Sequence, residues 1–261
     1  MPFKKVGKIR YYGFDCFDRE GIFSAIITRH EGVSPSPWDS LNLGGTVGDD
    51  RNRVIENRSL IYESFQIKRE RIFDVWQVHG DQVICTDAPR PENAIHQKAD
   101  AIVTNRKDIV LLMLFADCVP ILLYDRVQKV IGIAHAGWKG TVLGVAAKTI
   151  KQMQEKYDSK PQDIIAALGP SIGPDHYSIG IEVVSKFQHV FGPAAKDFIH
   201  SVNGNEYLNL WESNRWLLEQ AGVDEIENAH ICTACHTEDW FSHRAENGKT
   251  GRFGVLLGLG T

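Results

Sequence analysis

The feature that most constrains this chain is a set of near-continuous apolar runs of strand length. They are IFSAIIT (22–28), IFDVWQV (72–78), DIVLLMLFA (108–116), VPILLYD (119–125), KVIGIAH (129–135), DIIAAL (163–168) and RFGVLLGL (252–259). A strand with one wet face alternates apolar and polar residues, whereas these runs are apolar at successive positions. They predict strands covered on both faces. Consecutive short strands between residues 100 and 135 predict a mixed or antiparallel sheet, not a strict βαβ alternation.

Helical periodicity lies between the runs. Val54, Ile61 and Phe65 share a face in NRVIENRSLIYESF, and Val145, Ile150 and Met153 mark a helix from about Thr141 to Tyr157. IEVVSKFQHVF (181–191) and YLNLWESNRWLLEQAG (207–222) each carry an apolar stripe, the second stopped at Gly222. The segment from Gly32 to Asp50 is the longest loop-like stretch, too short for a tether between domains. No repeat or composition shift divides the chain, so one domain over residues 1–261 is expected, of α/β or α+β class.

With 33 acidic and 29 basic residues the formal charge is −4, which gives no electrostatic footprint for nucleic acid. No stretch reaches the roughly 18 apolar residues of a membrane span. The start, MPFKKVGKIRYYGFD, lacks the apolar run of an export signal, so a cytoplasmic location is expected, where thiols stay reduced. Cys16, Cys85, Cys118, Cys232 and Cys235 then read as thiols or ligands, not bridges. A chain this long buries a sizeable core unaided, so a bound metal is expected to serve chemistry and not folding.

Chemistry concentrates where apolar strands end at reactive residues: Phe115-Ala-Asp117-Cys118-Val-Pro120, then Ile133-Ala-His135-Ala-Gly137-Trp138-Lys139-Gly140-Thr141. Rigid strand ends are where variable loops carry functional groups. If 119–125 and 129–135 pair as a hairpin turning near Asp125-Arg126, Cys118 and His135 face one cavity. Each alone is as easily a packing residue, since most cysteines behave as small buried hydrophobes. A helix start after Gly140 would expose N–H groups to an anion, beside Lys139. A third transition ends Val75-Trp-Gln77-Val at His79-Gly80-Asp81. Two imidazoles and a thiolate make a three-ligand set suited to zinc, with a fourth position open.

Cys232-Thr-Ala-Cys235-His236 spells the haem-attachment pattern, which requires export, and has zinc-knuckle spacing, which requires a second ligand pair nearby. Neither condition is visible, so ordinary packing thiols are the expectation there. Arg29 and Arg244 have the fork geometry for phosphate, although isolated arginines are more often surface ion-pair partners.

Taken in order, the blocks Thr28-Arg29…Ser40-Leu-Asn42-Leu-Gly44, Gln77-Val-His79-Gly80, Ala116-Asp-Cys118-Val-Pro120, His135-Ala-Gly-Trp138-Lys-Gly140, Leu168-Gly-Pro-Ser-Ile-Gly173 and Phe241-Ser-His-Arg244 resemble the YfiH/YlmD family, also called laccase-domain or polyphenol oxidase proteins and later purine nucleoside phosphorylases. The likeness runs from about residue 22 to the C-terminus. It implies an α+β domain in which mixed sheets pack between helices, in α/β/β/α-like layers. It also implies that His79, Cys118 and His135 hold the catalytic metal, zinc in preference to copper.

The implied substrates are purine nucleosides and phosphate: adenosine, inosine and methylthioadenosine are split to base and ribose 1-phosphate, and adenosine is also deaminated. Arg29, Asn42, Lys139 and Arg244 are assigned to substrate and phosphate; for the proton transfer that deamination needs, Asp117 and Asp81 are candidates by position alone. The chain departs from the family at Ala245, where a second basic residue usually follows Phe-Ser-His-Arg; the next cations along the chain are Lys249 and Arg252.

Three other activities compete. A copper oxidase needs clustered imidazoles, yet the ten histidines include no His-x-His pair. A Cys118 hydrolase with His135 as base, acting on cell-wall precursors, is chemically sound. A non-enzymatic nucleoside- or metal-binding protein would show the same strand-end polar clusters. Nothing in the chain fixes its oligomeric state.

Overall fold

A computed structural model describes residues 3–91 and 93–260. Two six-stranded sheets form its middle. The first runs, edge to edge, through Phe3–Val6, Ile9–Tyr12, Phe23–Ile27, Phe253–Gly258, Val110–Phe115 and Ile72–Asp74. The second runs through Glu225–Asn228, Ile164–Leu168, Val119–Asp125, Val130–Ala136, Ala101–Thr104 and Val83–Cys85. Both sheets are mixed. The first is antiparallel except where Ile72–Asp74 joins Val110–Phe115, and the second ends in a parallel pairing at each edge. A small three-stranded sheet is built from residues 178–208.

The continuous apolar runs follow from this layering. In Val110–Phe115, Leu111, Met113 and Phe115 point between the sheets, while Val110 and Leu112 pack outward against helix Arg51–Ser64 and its neighbours. In Val119–Asp125, Leu122 and Tyr124 face the other sheet, and Val119, Ile121 and Leu123 face helices Val145–Tyr157, Ile181–Phe191 and Leu210–Gln220. With both faces covered, neither face of a strand can be polar. The expected α+β class with helix, sheet, sheet and helix layers is thus the observed one.

Local chemistry moves several boundaries. The run at 72–78 forms a strand only to Asp74. Beyond it the Gln77 amide, rather than the backbone, bonds Leu114: its Nε2 donates to Leu114 O at 2.8 Å, and Leu114 N donates to its Oε1 at 2.9 Å. The expected helix from Thr141 is two helices, Trp138–Leu143 and Val145–Tyr157, broken at Gly144 with φ 74°. The 207–222 helix starts only at Leu210, where the Asn209 side chain caps Glu212 N at 3.0 Å. Among the described residues no helix is long and apolar enough to cross a membrane.

Candidate active site and metal centre

Val119–Asp125 pairs antiparallel with Val130–Ala136 and sets Pro120 opposite His135. The turn between them is held by Asp125, whose Oδ1 accepts from Val127 N at 2.8 Å and Gln128 N at 2.9 Å. Cys118, immediately before the first strand, therefore meets His135 at the far end of the hairpin, as the sequence predicts. His79 arrives from the loop after Ile72–Asp74 with φ 57°, a left-handed conformation that is uncommon outside glycine. Its ring centroid lies 5.0 Å from that of His135. The ligand atoms of His79, Cys118 and His135 all fall within 4.8 Å of one another.

The group that assembles the trio is Asp100, a residue sequence reasoning missed. It is fully buried and directly precedes the strand Ala101–Thr104. One carboxylate oxygen accepts from His135 Nδ1 at 2.9 Å and His79 N at 3.0 Å. The other accepts from Val78 N at 3.1 Å and Gly80 N at 2.6 Å. Nδ1 of His135 is thereby the protonated nitrogen, and Nε2 is left for a ligand role, the usual carboxylate–histidine support of a metal site. The available signal is an acid abutting a short apolar segment, too brief to read as a strand. Burial pushes the Asp100 carboxyl up, but the His135 hydrogen bond and the backbone N–H groups outweigh it and hold the pKa below the usual range.

Burial likewise pushes the Cys118 thiol up, and the two imidazoles, His135 foremost, overturn that and bring it down to about 6. His135 is raised in turn: burial lowers it, while the Cys118 thiolate and Asp100 more than compensate. Gly137 lets the backbone pass the sulfur, because a Cβ there would lie 2.7 Å from Cys118 Sγ and 3.6 Å from His79 Cδ2.

The trio opens onto a cleft of about 1300 Å³. Lys139, Arg244 and Arg252 are among its lining residues, and none of the described ion pairs involves them. Arg244 stacks on Tyr177, 4.9 Å from the ring centroid, and donates from Nη1 to Ser178 O at 2.8 Å. The Arg252 side chain donates to the carbonyls of Thr250 and Gly251. Desolvation draws its pKa down, so it is a cation that gains from a bound anion.

Several assigned residues are committed to partners within the protein. Arg29 does not line the cleft; it is buried, with Phe241 beneath its guanidinium, donating to Asp39 O and Thr237 O at 2.7 Å and pairing with Glu246 at 3.0 Å. Asn42 is fully buried and satisfied: its Nδ2 donates to Gly44 O and Asp49, and its Oδ1 accepts from Gly44 N and Arg252 N. It shapes the loop and the Arg252 backbone instead of touching a ligand. Asp117 lines the cleft and accepts from Thr233 Oγ1 and Ser242 Oγ at 2.7 Å and from Arg244 N at 2.6 Å, so its carboxylate anchors the 233–244 segment. Asp81 is outside the cleft and pairs with Lys148. The helix near Gly140 starts at Trp138 and has six residues, too few to aggregate a useful dipole at its start.

A family model described as multi-copper polyphenol oxidoreductase laccase matches residues 23–260. The chain belongs to that family. Purine nucleoside phosphorylase YlmD of Bacillus subtilis is 34% identical over 248 residues, which cover 91% of this chain and 88% of that one. Purine nucleoside phosphorylase of Deinococcus radiodurans is 36% identical over 236 residues, 90% and 88% of the two chains. The crystal structure of YlmD from Geobacillus stearothermophilus matches with a TM-score of 0.92 at 32% identity, over 100% of this chain and 99% of that one. The Bacillus licheniformis hypothetical protein YfiH matches at 0.90 and 34%, over 98% of each. The resemblance to YfiH/YlmD proteins is therefore met in sequence and in fold. The family's description names copper, but only two imidazoles meet at this laccase-domain centre among the described residues.

Proposed function

We propose that this chain is a zinc-dependent purine nucleoside phosphorylase, acting on adenosine, inosine and methylthioadenosine with phosphate, and that the same centre deaminates adenosine. The observation that carries the proposal is one cleft holding both a three-ligand His–Cys–His set and a group of cations outside the described carboxylate pairs. The names of the relatives supply the substrate class.

The donor set suits zinc: two neutral imidazoles, a thiol already drawn toward thiolate, a carboxylate orienting one imidazole from behind, and room for a fourth ligand. Bound by His79, Cys118 and His135, zinc would lower the pKa of a water toward neutrality and so supply the nucleophile for deamination. In phosphorolysis Arg244, Arg252 and Lys139 hold phosphate beneath the ribose C1′. Each charge-assisted hydrogen bond contributes roughly 1.5–3 kcal/mol. The same cations pre-organise the attacking oxygen against a C1′ that gains positive charge as the base departs. The half-exposed Trp76 at the cleft wall offers a face on which a purine can stack.

Purified protein is incubated with adenosine with and without phosphate, and the products are separated by chromatography. Adenine that requires phosphate, together with inosine, is expected. Adenine formed equally well without phosphate would refute phosphorolysis. Cys118→Ala should remove the zinc held by the His79–Cys118–His135 centre and abolish both products while the circular dichroism spectrum is kept.

One observation favours a second reading. Asp100, His135 and Cys118 also form a carboxylate–imidazole–thiolate relay, the arrangement of a cysteine hydrolase. That reading gives His79 only a supporting part, drawing the thiol toward thiolate beside His135. Activity that survives complete chelation of zinc would favour it.

A further inference from the structure

A second cluster of donors lies apart from the catalytic trio. Asp175, His176, Cys232 and Cys235 place one ligand atom each within 4.8 Å of the other three. The Cys-x-x-Cys segment lacks a second ligand pair in its own sequence neighbourhood. The fold supplies that pair from the loop after strand Ile164–Leu168, because Ser171 and Cys232 are joined by a parallel bridge, with Ser171 N donating to Ile231 O and Thr233 N to Ser171 O, both at 3.1 Å. His236, which completes the haem-like spelling, points to Glu238 instead and is not among the four.

We propose that these four side chains form a closed structural zinc site. Zinc bonds of about 2.0 Å to nitrogen or oxygen and about 2.3 Å to sulfur give tetrahedral donor–donor edges of roughly 3.3–3.8 Å. His176 Nδ1 lies 3.8 Å from Cys232 Sγ and 3.5 Å from Cys235 Sγ, and 3.0 Å from Asp175 Oδ1. Three edges radiating from the imidazole nitrogen are thus near tetrahedral length already. Gly173 N donates to Cys232 Sγ at 3.1 Å, the kind of backbone bond that supports a thiolate ligand. The same glycine admits the cluster: a Cβ on it would stand 2.8 Å from Asp175 Oδ1 and 3.1 Å from Cys232 Sγ.

Two thiolates with an imidazole and a carboxylate select zinc over magnesium or calcium, which prefer oxygen donors. Four protein ligands leave no open position, so this site is a staple and not a second catalytic centre. It fastens the loop carrying Tyr177 to the segment carrying Arg244, both on the wall of the cleft.

The test is independent of the catalytic reading because it counts metal alone. Fully reduced Cys118→Ala protein, in which the first centre is disabled, is loaded with zinc, freed of excess and analysed for bound metal. One zinc per chain is expected, falling to none in Cys118→Ala/Cys235→Ser and in Cys118→Ala/His176→Gln. Cys235 and His176 are exposed, so these changes should leave the circular dichroism spectrum unaltered. In the otherwise wild-type protein, Cys235→Ser should lower the zinc content by one. Cobalt in Cys118→Ala should show a thiolate charge-transfer band that Cys235→Ser abolishes. Absence of zinc from reduced Cys118→Ala, or zinc retained after both Cys235 and His176 are replaced, would overturn the site. A Cys232–Cys235 disulfide whose reduction brings no metal uptake would overturn it as well.

Discussion

Replacing Asp100 by Asn is the most pointed perturbation of the catalytic centre, because it changes charge and hydrogen bonding at nearly constant shape. The carboxylate receives four N–H groups, two on each oxygen: His135 Nδ1 and His79 N on one, Val78 N and Gly80 N on the other. An amide can accept at only one of those positions. With the oxygen kept toward His135 and His79, the Val78 and Gly80 N–H groups face an NH2 and lose their acceptor. A fully buried donor left unsatisfied costs about 1–3 kcal/mol, so these two part-buried donors set an upper bound of roughly 2–6 kcal/mol. Relief from burying a charge brings the net toward the lower end. The loss of support for His135 should weaken zinc binding by about 10–100-fold. Urea unfolding gives the first quantity, and competition with a zinc-sensitive dye gives the second. A variant within about 0.5 kcal/mol of wild-type stability, binding zinc within twofold, would refute the role of Asp100 as organiser of the trio; that stability margin is what an unremarkable surface change produces.

Gly137→Ala should leave the fold intact, since its φ of −76° and ψ of −179° suit alanine, yet the new Cβ displaces the Cys118 sulfur; zinc affinity should fall by about tenfold or more, a loss of ligand geometry, with little change in melting temperature. Asp117→Ala removes three hydrogen bonds to the 233–244 segment and should cost about 2–4 kcal/mol by urea unfolding, raising KM while leaving the pH dependence of kcat unchanged; a lost limb in that profile would restore Asp117 as a proton carrier. Asp74 is pushed up by burial, but Arg90, Arg58 and His96 outweigh this and depress its pKa. Its contribution to stability is therefore present above the unfolded carboxylate value of about 3.9 and lost as pH falls through the lower folded value. The stability gap between wild type and Asp74→Asn, followed by urea midpoints, should be constant near neutrality and close below about pH 4.

Much of this fold is legible in the chain because the sheets are buried on both faces. Runs such as VPILLYD and RFGVLLGL announce themselves by having no polar phase, and the helix 181–191 begins and ends where its periodicity does. The short edge strands Val83–Cys85 and Glu225–Asn228 are only half-buried and carry no such signal. The trio is readable because each member terminates or follows an apolar run. Asp100 is not, since its importance lies in four partners brought in from two other segments. Arg29 and Asn42 mislead for the converse reason: an arginine or asparagine beside a strand reads the same whether it faces a ligand or a loop. The expectation that metal serves chemistry alone rests on chain length and gives no view of how Asp175 and His176 are carried to Cys232 and Cys235.

The three residues of the proposed catalytic centre are not held equally. Cys118 and His135 belong to a hairpin whose strands are buried along their whole length, so they separate only when the core itself opens. His79 is exposed, on a left-handed loop residue, and its link to the rest runs through the backbone bonds to Asp100. Release of an ion from the proposed centre would therefore begin at His79, with the loop's opening frequency setting how long the ion stays. Residence time and affinity then become separately adjustable: substitutions around residues 76–81 change the exit rate, and those in the hairpin change whether a site exists at all.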